Sequence, residues 1–91
     1  STKVSFINFG DDEAVECMRL AKVLRDRDIS AEVYPTSAKM KKQMKYANDR
    51  AIPFVVMIGS EELKNQELTL KNMETGDQQK VASSSILEHL K

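Results

Sequence analysis

Hydrophobic and polar positions change period along the chain, and the changes mark its elements. Val4-Ser5-Phe6-Ile7-Asn8-Phe9 is rich in β-formers and stops at Gly10, which predicts a strand. Asp11-Asp12-Glu13 stand where the positive end of a helix dipole favours acids, with Asp11 or Asp12 as the expected cap. Ala14, Cys17, Met18, Ala21 and Leu24 then recur at helical spacing, while Glu16, Arg19, Lys22 and Arg25 fall outside the stripe. One face of that helix packs and the other is wet. Asp26-Arg27-Asp28 closes it, and Ala31-Glu32-Val33-Tyr34 follows as a short strand stopped by Pro35. A second helix is expected from Ala38 to Ala51, with Met40, Met44, Ala47 and Ala51 inward and Lys39, Lys41, Lys42 and Lys45 outward.

Pro53 opens Phe54-Val55-Val56-Met57-Ile58, a continuous apolar run of strand length. Such runs are buried on both faces of a parallel sheet, so this is the expected central strand. Beyond Gly59, Glu67 to Met73 alternates, and Glu74-Thr75-Gly76-Asp77 turns the chain into Gln78 to Ala82. That is a hairpin with Leu68 and Leu70 on one face and Glu67, Thr69 and Lys71 on the other. Ser83-Ser84-Ser85 introduces a last short helix ending in Leu90, with Ser85 and Glu88 at capping-box spacing. The order β-α-β-α-β-β-β-α predicts an α/β fold: a three-layer α/β/α sandwich with a mixed five-stranded sheet, three parallel strands plus a hairpin, and three helices.

Composition narrows the function classes. The 91 residues are 41% hydrophobic and 31% charged, which fits a globular chain and excludes disorder or a collagen-like repeat. No apolar run is long enough to cross a bilayer. A single cysteine, Cys17, rules out an internal disulfide and a multi-cysteine metal site, so an oxidising compartment is not required. The chain starts Ser1-Thr2-Lys3 without an initiator Met, as expected of a processed protein or of a piece of a longer one. Formal net charge is zero, yet the charge is polarised. Residues 38 to 50 carry five cations against Asp49 alone, and residues 11 to 32 carry seven acids against four bases. A lysine-rich helix face is either a solvated face or a match for a phosphate backbone.

The residues offer little covalent chemistry. Asp11-Asp12 after a strand resembles the acid pocket of a response-regulator receiver, but the run Met57-Ile58-Gly59-Ser60 lacks the Asp to be phosphorylated. Gly10 stands without a GxGxxG or Walker pattern. Cys17 falls on the packed stripe of its helix, Met40 and Met44 are expected in the core, and His89 lies near the end of the chain without a partner. No catalytic residues and no metal ligands emerge.

Gly59-Ser60-Glu61-Glu62, with Lys71 nine positions after Glu62, resembles the anticodon-binding domain of class IIa aminoacyl-tRNA synthetases. That family carries G-x-x-E after an apolar strand and a basic residue in the next strand, preceded by a basic helix and a strand opening with Pro. Tyr46-Ala47-Asn48-Asp49-Arg50-Ala51-Ile52-Pro53-Phe54 fits the last feature. Ala31-Glu32-Val33-Tyr34-Pro35, Lys41-Lys42-Gln43-Met44-Lys45-Tyr46-Ala47 and Leu70-Lys71-Asn72-Met73-Glu74-Thr75-Gly76-Asp77-Gln78 look most like the histidyl-tRNA synthetase members. Threonyl, prolyl and glycyl members more often have Arg in place of Lys71, and Ser60 stands where many histidyl members have an acid.

The resemblance implies that residues 1–91 form one anticodon-binding domain, the C-terminal fragment of a longer cytoplasmic synthetase. Its partners would be the tRNA anticodon loop and the parent's catalytic domain, in a homodimer and away from membranes. ATP and Mg²⁺ would act in that catalytic domain, and no cofactor in this fragment. Carried over by position, the resemblance puts Glu62 and Lys71 at the anticodon bases and Lys39, Lys42 and Lys45 near the tRNA backbone. A carboxylate can accept two hydrogen bonds from the N1–H and N2–H₂ edge of an unstacked guanine, and histidine anticodons contain guanine. The alternatives are an anticodon-binding-like protein-interaction or regulatory module without RNA binding, since fold alone does not fix function, or the same domain from a threonyl-, prolyl- or glycyl-tRNA synthetase.

Overall fold

The computed structural model describes residues 1–90. Five strands, β1 (Val4–Phe6), β2 (Ala31–Val33), β3 (Phe54–Met57), β4 (Glu67–Asn72) and β5 (Gln78–Ala82), form one sheet in the order β2-β1-β3-β4-β5. β1 pairs parallel with β2 and β3, while β4 pairs antiparallel with β3 and β5. The apolar run Phe54 to Ile58 therefore does supply the middle strand, and the hairpin extends the sheet as its alternation predicts. The Cα radius of gyration is 11.7 Å.

Helix α1 (Asp11–Arg25) crosses from β1 to β2, and α2 (Met40–Asp49) crosses from β2 to β3. They lie on opposite faces of the sheet. On the first face Cys17, Leu20 and Leu24 of α1 meet Val4, Phe6, Val56, Leu68 and Val81, with Ile86 and Leu90 from the end of the chain. On the second face Ala47 of α2 and Ile52 pack on Ile7 and Val55, and Met44, Met57 and Met73 close around them. α2 has only ten residues, and beyond it the second face is bare: Gln78, Lys80 and Ala82 are exposed. The sandwich has three layers over β2-β1-β3 and two over the hairpin.

Several local details differ from the sequence pattern. A further helix, α3 (Ser60–Asn65), fills the β3–β4 connection, so the described residues hold four α-helices rather than three. Its lone apolar side chain, Leu63, gives no periodicity to detect, yet it packs against the main core. Met18 of α1 is 55% exposed and Leu20 takes its place inside. On α2, Met40 is 41% exposed and Ala51 lies outside the helix and exposed. The inward positions are Gln43 and Ala47, with Met44 half-buried. Periodicity ranks residues by hydrophobicity and so passes over a glutamine that is buried because it is fully hydrogen-bonded. The cap of α1 is Gly10 (φ 140°), and neither Asp11 nor Asp12 makes a capping bond. They act on the dipole from the first turn. The segment after β5 begins as a 3₁₀ turn, Ser83–Ser85, before α4 (Ile86–His89), and makes no side-chain cap at Ser85.

Gln43 ties the end of β1 to the start of α2. Its Oε1 accepts the Asn8 N–H at 2.8 Å, and its Nε2 donates to the Asn8 carbonyl at 2.8 Å and the Ala38 carbonyl at 2.7 Å. Asn8 continues the chain of bonds, donating from Nδ2 to the Tyr34 carbonyl and accepting from the Gly10 N–H at Oδ1. Gln43→Leu keeps the volume and orphans these buried groups, so chemical denaturation should show a loss of about 3 kcal/mol.

The far end of α2 closes with the Ile52 N–H on the Ala47 carbonyl and the Ala51 N–H on the Asn48 carbonyl. That pattern places its penultimate residue in the left-handed region, where glycine is preferred. Here it is Ala51, at φ 54°. Ala51→Gly should relieve strain worth about 1 kcal/mol and raise the thermal midpoint by about 4 °C.

Candidate nucleic-acid interface

The bare half of the second sheet face is polar and carries Lys71 and Lys80 beside Glu67. Cross-strand register sets Val55, Lys71 and Gln78 in one row and Met57, Thr69 and Lys80 in the next. Side chains two apart on a strand share a face, so Lys71 and Lys80 stand diagonally across the β4–β5 pair. Lys71 is half-buried and makes no ion pair among the described residues.

Helix α2 borders this face. Lys39, its N-cap residue, and Lys41, Lys42 and Lys45 are all exposed. Lys45 pairs with Asp49 at 2.6 Å, whereas Lys39, Lys41 and Lys42 have no carboxylate partner among the described residues. The first turn of α2 holds no acid. Cations at this end oppose the helix dipole, a cost that an anion would reverse. At its other end, Tyr46 donates to Glu32 at 3.0 Å, packs edge-on to Tyr34 and lies under the Arg50 guanidinium at 4.5 Å.

Glu62 sits in the first turn of α3, at the carboxyl end of β3. Its Oε1 accepts the Gly59 N–H at 2.7 Å and its Oε2 accepts from Lys80 Nζ at 3.0 Å. A β-carbon at Gly59 would stand 2.9 Å from Glu62 Oε1, so any larger residue there would make the carboxylate shift. Lys80 first, then the Gly59 N–H, hold the Glu62 carboxyl below the usual carboxylate range. The structure thus brings Glu62 together with Lys80, which the sequence pattern did not single out. Eighteen positions separate the two, and only the return of β5 beside β4 joins them. Lys71 lies on the same sheet face as Lys80, while Lys39, Lys42 and Lys45 form a separate group on α2.

The remaining candidates behave as packing or surface residues. Cys17 is fully buried, its thiol donates to the Ile7 carbonyl at 3.8 Å, and burial together with Glu16 and Glu13 pushes it up to about 12. His89 is exposed. A hollow of about 470 Å³ beside the turn of the hairpin, lined by Phe54, Leu70, Asn72 and His89 among others, opens on the opposite face from Lys71. Among the described residues no three His, Cys, Asp or Glu side chains gather to hold a metal, and no helix is long and apolar enough to cross a membrane.

A mixed α/β sheet with one half-open polar face, lysines along a bordering helix and a carboxylate at its rim presents both cations and hydrogen-bond acceptors on one side of the molecule. The comparisons give that arrangement a family. The family model described as "Anticodon binding domain" matches residues 3–91, and the chain belongs to this family. Its relatives include histidine–tRNA ligases. The one from Phocaeicola vulgatus is 47% identical over 90 residues, covering 99% of this chain and 20% of the relative. The one from Christiangramia forsetii is 55% identical over 78 residues, covering 86% and 17%. Among solved structures, a histidyl-tRNA synthetase from Nostoc superposes with a TM-score of 0.92 at 25% identity, over 97% of this chain and 21% of that one. Apo S. aureus histidyl-tRNA synthetase gives 0.90 at 28%, over 100% and 27%. The chain spans about a fifth of the length of the curated relatives it matches.

Because its folded carboxyl is shifted down, ionised Glu62 stabilises the fold above the ordinary carboxylate range, and that stability is lost as pH falls through the lowered value. Glu62→Gln abolishes the titration. In urea unfolding across a pH series, the stability difference between wild type and Glu62→Gln should be constant near neutrality and shrink on acidification.

Proposed function

We propose that this chain is the tRNA-reading domain of a histidine–tRNA ligase, a single anticodon-binding domain in the C-terminal part of the parent. The observation that carries the proposal is the match of nearly the whole chain to the anticodon-binding family, with histidine–tRNA ligases as relatives at about half identity. The parent, in this reading, is a cytoplasmic homodimer that attaches histidine to tRNA(His) with ATP and Mg²⁺, which act in a catalytic domain outside these residues. The fragment contributes binding: contacts at the anticodon orient the tRNA so that its acceptor end reaches the distant active site.

Glu62 and Lys71 meet the anticodon bases, and Lys39, Lys42 and Lys45 follow the backbone. Supporting this, a carboxylate offers about four acceptor sites, and Gly59 and Lys80 engage one on each oxygen. Two sites remain for the N1–H and N2–H₂ of an unstacked guanine. Lys71 donates to a base carbonyl or a phosphate. On α2, a phosphate competes with Asp49 for Lys45 and finds Lys39 and Lys42 unpaired.

The test is an NMR titration of the chain with a tRNA(His) anticodon stem-loop at low salt, beside a loop whose anticodon guanines are replaced. Amide shifts at Glu62, Lys71 and the start of α2 should appear with the cognate loop, and Glu62→Ala should weaken its binding by roughly 1–3 kcal/mol while barely affecting the control. With roughly three to five phosphate contacts, log K should fall with log salt at a slope of about −2 to −3.5. Equal responses to the two loops, or no response to either, would contradict base reading.

A further inference from the structure

We propose that Lys80 is a positioning residue for anticodon recognition: its ammonium holds the Glu62 carboxylate in the orientation that reads a base. This rests on the reading that Glu62 meets a base and adds a determinant outside the G-x-x-E stretch. An exposed Lys–Glu pair usually fixes little, because both side chains are long and solvated. Here the constraint is tighter on each partner. Lys80 comes from the middle of β5, in register with Thr69, so its ammonium approaches from the sheet. Glu62 comes from the first turn of α3, with one oxygen already on the Gly59 N–H at 2.7 Å. Lys80 takes the other oxygen at 3.0 Å, and the Glu62 side chain is only 21% exposed against 51% for Lys80.

Gly59 and Lys80 together fix both oxygens, and with them the plane of the carboxylate. A carboxylate held at one oxygen alone still swings about its terminal torsion, which is broad. Bidentate recognition of a guanine edge needs both oxygens presented at once, so freedom at that torsion lowers discrimination between bases more than it lowers attraction to the backbone. Lys80 also offsets the repulsion that an unpaired carboxylate would exert on a phosphate chain. Arg keeps the charge and the reach, whereas Met keeps the length and loses both charge and donor.

The experiment uses the chain with Lys80→Met, Lys80→Arg, Lys80→Gln and Glu62→Gln, with amide spectra confirming the fold. Each is titrated with the cognate stem-loop and with one in which inosine replaces the anticodon guanines, removing the N2 donor. Wild type should prefer guanine by about tenfold. Lys80→Met and Lys80→Gln should reduce that preference to under about threefold, and Lys80→Arg should retain it. If Lys80→Met weakens both loops equally and flattens the salt slope by about 0.7, Lys80 is a phosphate contact and the proposal is overturned. If Lys80→Met leaves the preference intact while Glu62→Gln removes it, Lys80 is incidental and base reading by Glu62 stands. If wild type and Glu62→Gln show the same lack of preference, base reading by Glu62 fails and the positioning role fails with it.

Discussion

The placement of α2 depends on one buried side-chain amide. Gln43 is 1% exposed and spans the end of β1 and the start of the helix with three hydrogen bonds. Without it the loop after β1 would bury a backbone N–H and a carbonyl with nothing to satisfy them. The same bonds set where α2 begins, and so where its lysines project. A helix held only by Ala47, Met44 and Ile52 would have a slippery apolar seat. The amide supplies direction, because hydrogen bonds are satisfied in one geometry and hydrophobic contacts in many.

The second consequence is economy of cover. Ten residues of α2 shield β1 and β3 but leave the hairpin's second face open. On that face the β4 and β5 positions are Glu67, Thr69, Lys71, Gln78, Lys80 and Ala82 rather than Val or Leu, so water is tolerated. The first face of the same strands, with Leu68, Leu70 and Val81, is sealed by α1 and the end of the chain. A two-residue period thus does two jobs in the hairpin: one face completes the core and the other stays open to solvent. α3 adds the third part, turning the chain after β3 and lifting Glu62 to the rim of the open face.

Much of this architecture was legible from side-chain pattern. Val4 to Phe6, the run Phe54 to Met57 and the alternation from Glu67 carry strong periodicity, because their burial is dominated by transfer of apolar surface. The failures share a different cause. Met18 is apolar yet outward because Ala14, Cys17, Leu20, Ala21 and Leu24 already fill the face of α1 that meets the sheet, and Met40 is outward at the first position of α2. Gln43 is polar yet inward, since hydrogen bonding cancels its desolvation. α3 has a single apolar contact, and its first turn is organised by Glu62 reaching back to Gly59, which hydrophobicity does not register.

For the site, the sequence by itself determined the residue types: a G-x-x-E stretch after a buried strand, a lysine in the strand that follows, and a cluster of lysines on one helix. Those are local, and local spacing reports them. Tertiary structure alone decided which side chains stand together. Strand pairing carries Lys80 across eighteen positions to Glu62, and the sheet register sets it diagonal to Lys71. An ion pair between distant segments leaves no periodic trace, because its partners are chosen by the geometry of the assembled sheet and not by neighbours in the chain.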